Sequence, residues 1–330
     1  MIFLFLVACN VAPEKAQPDV VVSTSTSSPI STLTVEPTQT QTPIPSATYT
    51  PWATKDVLAQ FGIFGGDGGW IDAAFIGSDV PKWVLYTDGQ LIFKKEDNRG
   101  FWFEETTLTV PQMCAFLSQI EKSGFFSIEI NNASQSDNPT DNPIYKVDDT
   151  AVISEGGPYY VLQLNGSKHR QIYVYSDYVQ YLIPKARQIF DLFNNYSPPS
   201  KFTNYQAQYM VLRIEEGVQV PDYLTPEPMI QEWSVDLPPL ELLQKENIEI
   251  EGSPFFSNGS VPEITNVLIV GEQIKSIFEA FGNRLSYRFF QYGNQMYGIV
   301  ARPFLPHENL NKFSEFPAEE EFELPFSCSN

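Results

Sequence analysis

Apolar and polar positions along this chain alternate at two different periods, and the switches between them outline the elements. Residues 82–87 and 90–94 have strand character and are separated by Asp88-Gly89. That dipeptide is a strong hairpin signal, with both turn residues expected at positive φ. A second turn at Asp97-Asn98-Arg99-Gly100 leads into a strand over 101–107, so an antiparallel meander is predicted. The period then lengthens. Met113, Phe116, Leu117 and Ile120 recur at helical spacing; Thr109 with Gln112 forms a capping box, and Gly124 closes the helix. Ala186, Ile189, Phe190 and Phe193 repeat the pattern after Pro184, as do Ile274, Ile277, Phe278 and Phe281 before Gly282. Further strands are expected over 159–164, 171–175, 209–214, 266–270, 285–291 and 295–301, with turns at Asn165-Gly166 and Tyr292-Gly293-Asn294.

Strand runs joined by hairpin signals and interrupted by three amphipathic helices predict an α+β fold with antiparallel sheets. The break at 196–201, with Pro198-Pro199, suggests two lobes, 56–197 and 203–312, followed by a tail over 313–330. The glycine-rich stretch 62–69 lacks the Lys-Ser/Thr of a phosphate loop and reads as a tight loop before a strand at 71–76.

The N-terminus follows other rules. Residues 2–8 are apolar and end at Cys9, and Leu6-Val7-Ala8-Cys9 fits a bacterial lipobox, in which the cysteine is acylated. The run is too short to span a bilayer. No Lys or Arg precedes it, so residues 1–8 read as a signal peptide whose true start lies upstream. Within 23–51, 20 of 29 residues are Ser, Thr or Pro, and Glu36 is the only charged one. Such a stretch has little to bury, and 9–55 reads as a disordered stalk.

Composition narrows the function classes. The chain has 330 residues, 20 basic and 40 acidic, for a formal charge of -20. Nucleic acid is not an expected partner, because its affinity comes from neutralising phosphates with Lys and Arg. Two histidines and three cysteines exclude a Cys/His zinc module and a disulfide-dense miniature fold. A catalytic triad would have to use His169 or His307, and no Gly-x-Ser-x-Gly elbow surrounds any serine. Paired carboxylates for glycoside hydrolysis are too plentiful among 40 acids to point anywhere.

Asp137 and Asp141, in Asp137-Asn138-Pro139-Thr140-Asp141-Asn142, are candidate calcium ligands, although proline turns explain the segment equally well and no cofactor is otherwise implied. The tail interleaves Phe313, Phe316, Phe322 and Phe326 with glutamates; it either packs on the domain or binds a basic partner. With Cys9 lipidated, Cys114 and Cys328 remain, an even number in an oxidising compartment. Cys114 lies about 110° from the centre of its helix's apolar stripe, on the flank, where a C-terminal segment carrying Cys328 can reach it. A disulfide between the two is a candidate, against a buried Cys114 and a free Cys328.

Tyr86-Thr87-Asp88-Gly89, the 108–126 helix ending Gly124-Phe125-Phe126, and Ala301-Arg302-Pro303-Phe304-Leu305-Pro306 resemble a group of bacterial lipoproteins with Ser/Thr/Pro-rich stalks and a Y-x-D-G hairpin. The likeness covers most of 80–308, through turns, caps and core positions. The group has no assigned activity, so no site residue is carried over. The expectation is a protein held by lipid on the extracytoplasmic face of a bacterial membrane, with a non-enzymatic domain that binds a protein or glycan. The alternative is an extracytoplasmic hydrolase or carbohydrate-active enzyme working through paired carboxylates.

Overall fold

A computed structural model describes residues 55–64, 80–130, 142–146, 158–198, 201–217, 230–233, 264–308 and 323–328. The first elements are β1 (Val57–Phe64), β2 (Trp83–Tyr86), β3 (Gln90–Asp97), β4 (Gly100–Thr107) and α1 (Val110–Ser123). Then come β5 (Tyr159–Leu164), β6 (Arg170–Tyr175), α2 (Pro184–Asn194) and β7 (Thr203–Asn204). The remainder is β8 (Tyr209–Glu216), β9 (Ile230–Glu232), β10 (Ile264–Val270), α3 (Glu272–Ala280), β11 (Arg288–Tyr292) and β12 (Gln295–Pro303). The fold is α+β. Seven strands form one sheet in the order β6-β5-β1-β2-β3-β4-β7, and five form a second in the order β10-β8-β12-β11-β9. All pairings are antiparallel except β9 with β11.

The pleat of the first sheet separates two apolar surfaces. Phe61, Trp83, Leu85, Leu91 and Phe93 face α1 and α2, which contribute Met113, Phe116, Ile120, Ile189, Phe190 and Phe193. Phe193 stacks on Trp83 at 5.7 Å, and the Trp83 indole N–H donates to the Phe193 carbonyl at 3.0 Å. Lys82 Nζ donates to the Asn194 carbonyl at 2.9 Å, placing a cation at the negative end of α2. The other face presents Val84, Tyr86, Ile92, Phe101 and Phe103, which share a core with Met210, Leu212, Ile214, Ile299 and Ala301 of the second sheet. Helix α3 adds Ile274 and Ile277 to that core. Both sheets belong to one compact unit, and β7, beyond the 196–201 break, pairs with β4 of the first sheet.

Several local expectations are met and some are corrected. In α1 the Gln112 side chain accepts from the Thr109 N–H at 2.8 Å, and Gly124 ends the helix left-handed at φ 80°. At the β2–β3 turn, only Gly89 has positive φ, at 87°. The expected turn with two left-handed residues is replaced by a longer one: the Tyr86 carbonyl accepts from the Gly89 N–H at 3.0 Å, and the left-handed glycine follows. A Cβ at Gly89 would also strike the Leu108 carbonyl. Gly62, Ile63 and Phe64 are not loop but the end of β1, opposite Val161, Tyr160 and Tyr159 of β5. Leu285, expected in a strand, instead exchanges backbone hydrogen bonds with Phe101 at 2.7 and 2.8 Å, beside Gly100, and β11 begins at Arg288. The expected strand at 71–76 and residues 65–69 lie outside the described residues.

Candidate functional site

Toward the end of β12 and beyond it, residues 302–308 gather a cluster of buried ionisable groups against the first sheet. Arg302, in an apolar strand, and Glu308, six residues on, are each 1% exposed. The guanidinium grips the carboxylate through Nη2 to Oε1 at 2.6 Å and Nη1 to Oε2 at 2.8 Å, and the Leu305 N–H adds a third donor at 2.7 Å. Burial pushes the Glu308 carboxyl up, but the Arg302 charge and these hydrogen bonds carry it below its ordinary value. His307 places Nδ1 2.8 Å from the Tyr86 hydroxyl. Burial drops the imidazole to about 4, with Glu308 opposing and Arg302 assisting, so it is neutral at neutral pH.

Burial also raises the Tyr86 phenol well above its ordinary value. The network therefore assigns Tyr86 O–H as donor to His307 Nδ1, with the ring proton on Nε2. Around these groups, Tyr205 O–H donates to the Phe304 carbonyl at 2.9 Å, and the Lys55 N–H to the Pro306 carbonyl at 3.0 Å. Arg213 on β8 is also buried; desolvation and the Arg302 charge bring its guanidinium to about 10. The cluster fastens the end of the second sheet to β2 of the first. His307 contacts a phenol made less acidic, not a serine or thiol, which is not the geometry of a hydrolytic triad.

A second polar constellation lies on β1, β5 and β6. Gln60 and Gln163 stand opposite each other, and the Gln60 amide donates to Gln163 Oε1 at 2.7 Å. Gln171 donates to the same oxygen at 3.1 Å, and Tyr173 O–H donates to Gln171 Oε1 at 2.8 Å. Gln163 donates in turn to Asn165 Oδ1 at 2.8 Å, and His169 Nδ1 lies 2.7 Å from that oxygen. His169, expected in an exposed hairpin arm, is half-buried in this row.

The residues singled out from sequence fall in different places. Cys114 and Cys328 are joined by a disulfide with Cα atoms 5.4 Å apart. It ties the segment 323–328 to the flank of α1, and Leu324 and Phe326 of that segment pack against the helix-side core. Cys9, Asp137, Asp141, Phe313, Phe316 and Phe322 lie outside the described residues. Among the described residues, no group of three or more His, Cys, Asp or Glu side chains is placed to hold a metal, and no helix is long and apolar enough to cross a membrane. The junction cluster was not foreseen. Its one local signal is Arg302 within Ile299–Leu305, since a charge in an apolar strand requires a partner. No family model matches the chain, and neither does any curated protein or solved structure.

Proposed function

We propose that the chain is a lipid-anchored protein of the extracytoplasmic face of a bacterial membrane, and that its α+β domain binds a partner without transforming it. The reading is supported by how the acidic groups are used. Carboxylate catalysis needs an acid whose proton is held near neutral pH, hence a raised pKa. The described carboxylates with a shifted pKa all move the other way. Glu308 is drawn down against its burial by Arg302. Burial likewise raises Asp88, yet Lys55 Nζ at 2.5 Å and the Gln90 N–H bring it below its ordinary value. Asp97 falls to about 2, through the Arg99 N–H first and the Arg284 side chain second. These are the signatures of carboxylates used to hold structure together.

Two measurements test the proposal. Cys9→Ala is expected to move the protein from the membrane fraction into the soluble one, because the acyl chains are its attachment; retention after a high-salt wash overturns the anchor. Incubation with chromogenic glycosides and peptides is expected to give no turnover above a buffer blank. Turnover lost on replacing one Asp or Glu would establish the hydrolase alternative.

A further inference from the structure

The tip of the β3–β4 hairpin meets the turn between α3 and β11. Phe101 and Leu285 exchange backbone hydrogen bonds there, and a Cβ at Gly100 would strike the Leu285 carbonyl, so the two elements stand in fixed register. The contact brings three arginines together. Arg99 Nη2 donates to Asp97 Oδ2 at 3.3 Å, Arg284 Nε donates to the same oxygen at 3.0 Å, and Arg288 Nη2 donates to the Arg99 carbonyl at 3.1 Å. We infer that these three guanidiniums form a binding site for a phosphate monoester. The inference rests on the binding-module reading above and assigns that module a ligand class.

Three observations carry it. The first is an imbalance of charge. The two lysines of the same hairpin each have a glutamate, Lys94 with Glu96 at 3.7 Å and Lys95 with Glu104 at 4.0 Å. The three arginines share one carboxylate, Asp97, so two positive charges lack a counter-charge among the described residues. In a chain at -20 this is the reverse of the general balance. The second is the state of Arg288. Its Nη2 is directed to the Arg99 and Phe281 carbonyls, its Nε is buried with no acceptor among the described residues, and its Nη1 is neither buried nor hydrogen-bonded. Burial first and the Arg99 charge second bring this guanidinium below its ordinary value, as expected where no anion offsets them. The third is access. The Arg99 side chain is 65% exposed, and only Nη2 of its guanidinium is engaged.

This combination selects the ligand. A guanidinium fork matches two oxygens of a phosphate, and a second guanidinium beside it can take a third. A phosphate monoester carries about -1.5 to -2 at pH 7, which fits two unbalanced cations better than a single carboxylate does. Arg284 is already held on several sides: its Cζ lies 3.7 Å from the centre of the Trp102 ring, Nε meets Asp97, and Nη1 donates to the Asn283 carbonyl at 2.8 Å. Direct contact with the phosphate is therefore assigned to Arg99 and Arg288.

The test is a calorimetric titration, at fixed ionic strength, of the full chain carrying Cys9→Ala, so that the proposed acyl attachment does not interfere. Glycerol 3-phosphate is the probe and malonate the dicarboxylate comparison. Saturable binding of the phosphate is expected, weakened about tenfold by Arg99→Gln, the loss of one charge-assisted hydrogen bond. That substitution keeps the Arg99 N–H that donates to Asp97 and the carbonyl that accepts from Arg288. Arg99→Lys keeps the charge without the fork, and a smaller weakening is expected. Arg187→Gln, on α2 and paired with Asp191, is the charge control and is expected to bind as the parent does. Sedimentation with phosphatidylcholine vesicles, with and without phosphatidic acid, separates the two sources of the group. Binding of the phosphatidic acid vesicles alone, lost in Arg99→Gln, assigns a lipid headgroup; binding of glycerol 3-phosphate assigns a free ester. Should Arg99→Gln fail to fold, the Trp102 indole N–H resonance of the parent provides the readout and is expected to shift on titration. Binding of neither probe, malonate bound as tightly as the phosphate, or binding that leaves that resonance and Arg99→Gln unaffected overturns the site and leaves the non-catalytic reading in place. Hydrolysis of the bound ester would support the site and overturn only the non-catalytic reading.

Discussion

Arg302 and Glu308 show at the residue scale how tightly the junction is specified. Two charges at 1% exposure are tolerable only because each satisfies the other. Glu308→Gln would leave a buried guanidinium without its counter-charge, and urea denaturation is expected to show a loss of about 3–5 kcal/mol. Arg302→Met combined with Glu308→Leu removes both charges and is expected to recover much of that loss; an unchanged single variant would remove the fork from the account of stability. His307 gives the junction a pH dependence. Its folded pKa is about 4, below the ordinary 6.5, so the unfolded chain binds the extra proton between those values. Stability from this group is complete above pH 6.5 and declines by roughly 3 kcal/mol as pH falls to 4. Tyr86, Glu308 and Arg302 act on the ring directly, and Tyr205 acts on Tyr86. Of these, Glu308 adds a further loss below its unfolded pKa, its own value being depressed on folding. His307→Gln, neutral at every pH, is expected to flatten the thermal midpoint between pH 6.5 and 4 relative to the parent, and equal slopes would contradict the assignment. Little of this was readable in advance. Arg302 in an apolar run announces that some partner exists, but Tyr86 and His307 are 221 residues apart, and no local pattern reports such a contact.

At the element scale the local grammar of the chain was largely legible. The α1 cap, its left-handed Gly124 stop and the apolar stripes of all three helices follow from spacing alone, because their partners lie within four residues. The misreadings have identifiable causes. Gly62 follows a run that carries Val57, Leu58 and Phe61, and the glycines after it suggested a loop; β2 flanks the strand only as far as Phe61, and pairing with β5 carries it on through Gly62, Ile63 and Phe64. Asp88 was expected to be left-handed, but a turn one residue longer leaves that conformation to Gly89 alone. The disulfide belongs to the same scale, since it joins a helix to an incoming segment whose Leu324 and Phe326 already dock on the helix-side core. Closing a loop across 214 residues is worth at most about 5 kcal/mol in the chain-entropy model. Replacing both cysteines with serine is expected to lower the denaturation free energy by a few kcal/mol within that bound. Alkylation of the unreduced, denatured protein is expected to label neither Cys114 nor Cys328, and two labelled thiols would overturn the pairing.

On the scale of the whole molecule, one core spans both sheets, with Val57, Val84, Tyr86, Ile92, Phe101 and Phe103 from one and Met210, Leu212, Ile214, Ile299 and Ala301 from the other. The Arg302, Glu308 and His307 junction sits on that shared boundary, so loss of the junction should propagate to both sheets and not to one alone. Among the described residues the first buried one is Val57, and Leu58, Ala59 and Phe61 behind it are fully enclosed. Residues 23–51, by contrast, are dominated by Ser, Thr and Pro and carry one charge. A flexible chain of about 45 residues spans roughly 37 Å, which is the reach of the stalk that the proposed anchoring at Cys9 calls for; Lys55, at its end, is already tied to the domain through the Pro306 carbonyl and Asp88. Deletion of residues 10–50 is therefore expected to leave the thermal midpoint of the domain unchanged, while membrane attachment through Cys9 persists. Differential scanning calorimetry provides the check. For a unit of this size, a fall of about 3 °C corresponds to roughly 1 kcal/mol, and a loss that large would mean that the deleted stretch contributes apolar contacts its composition does not suggest.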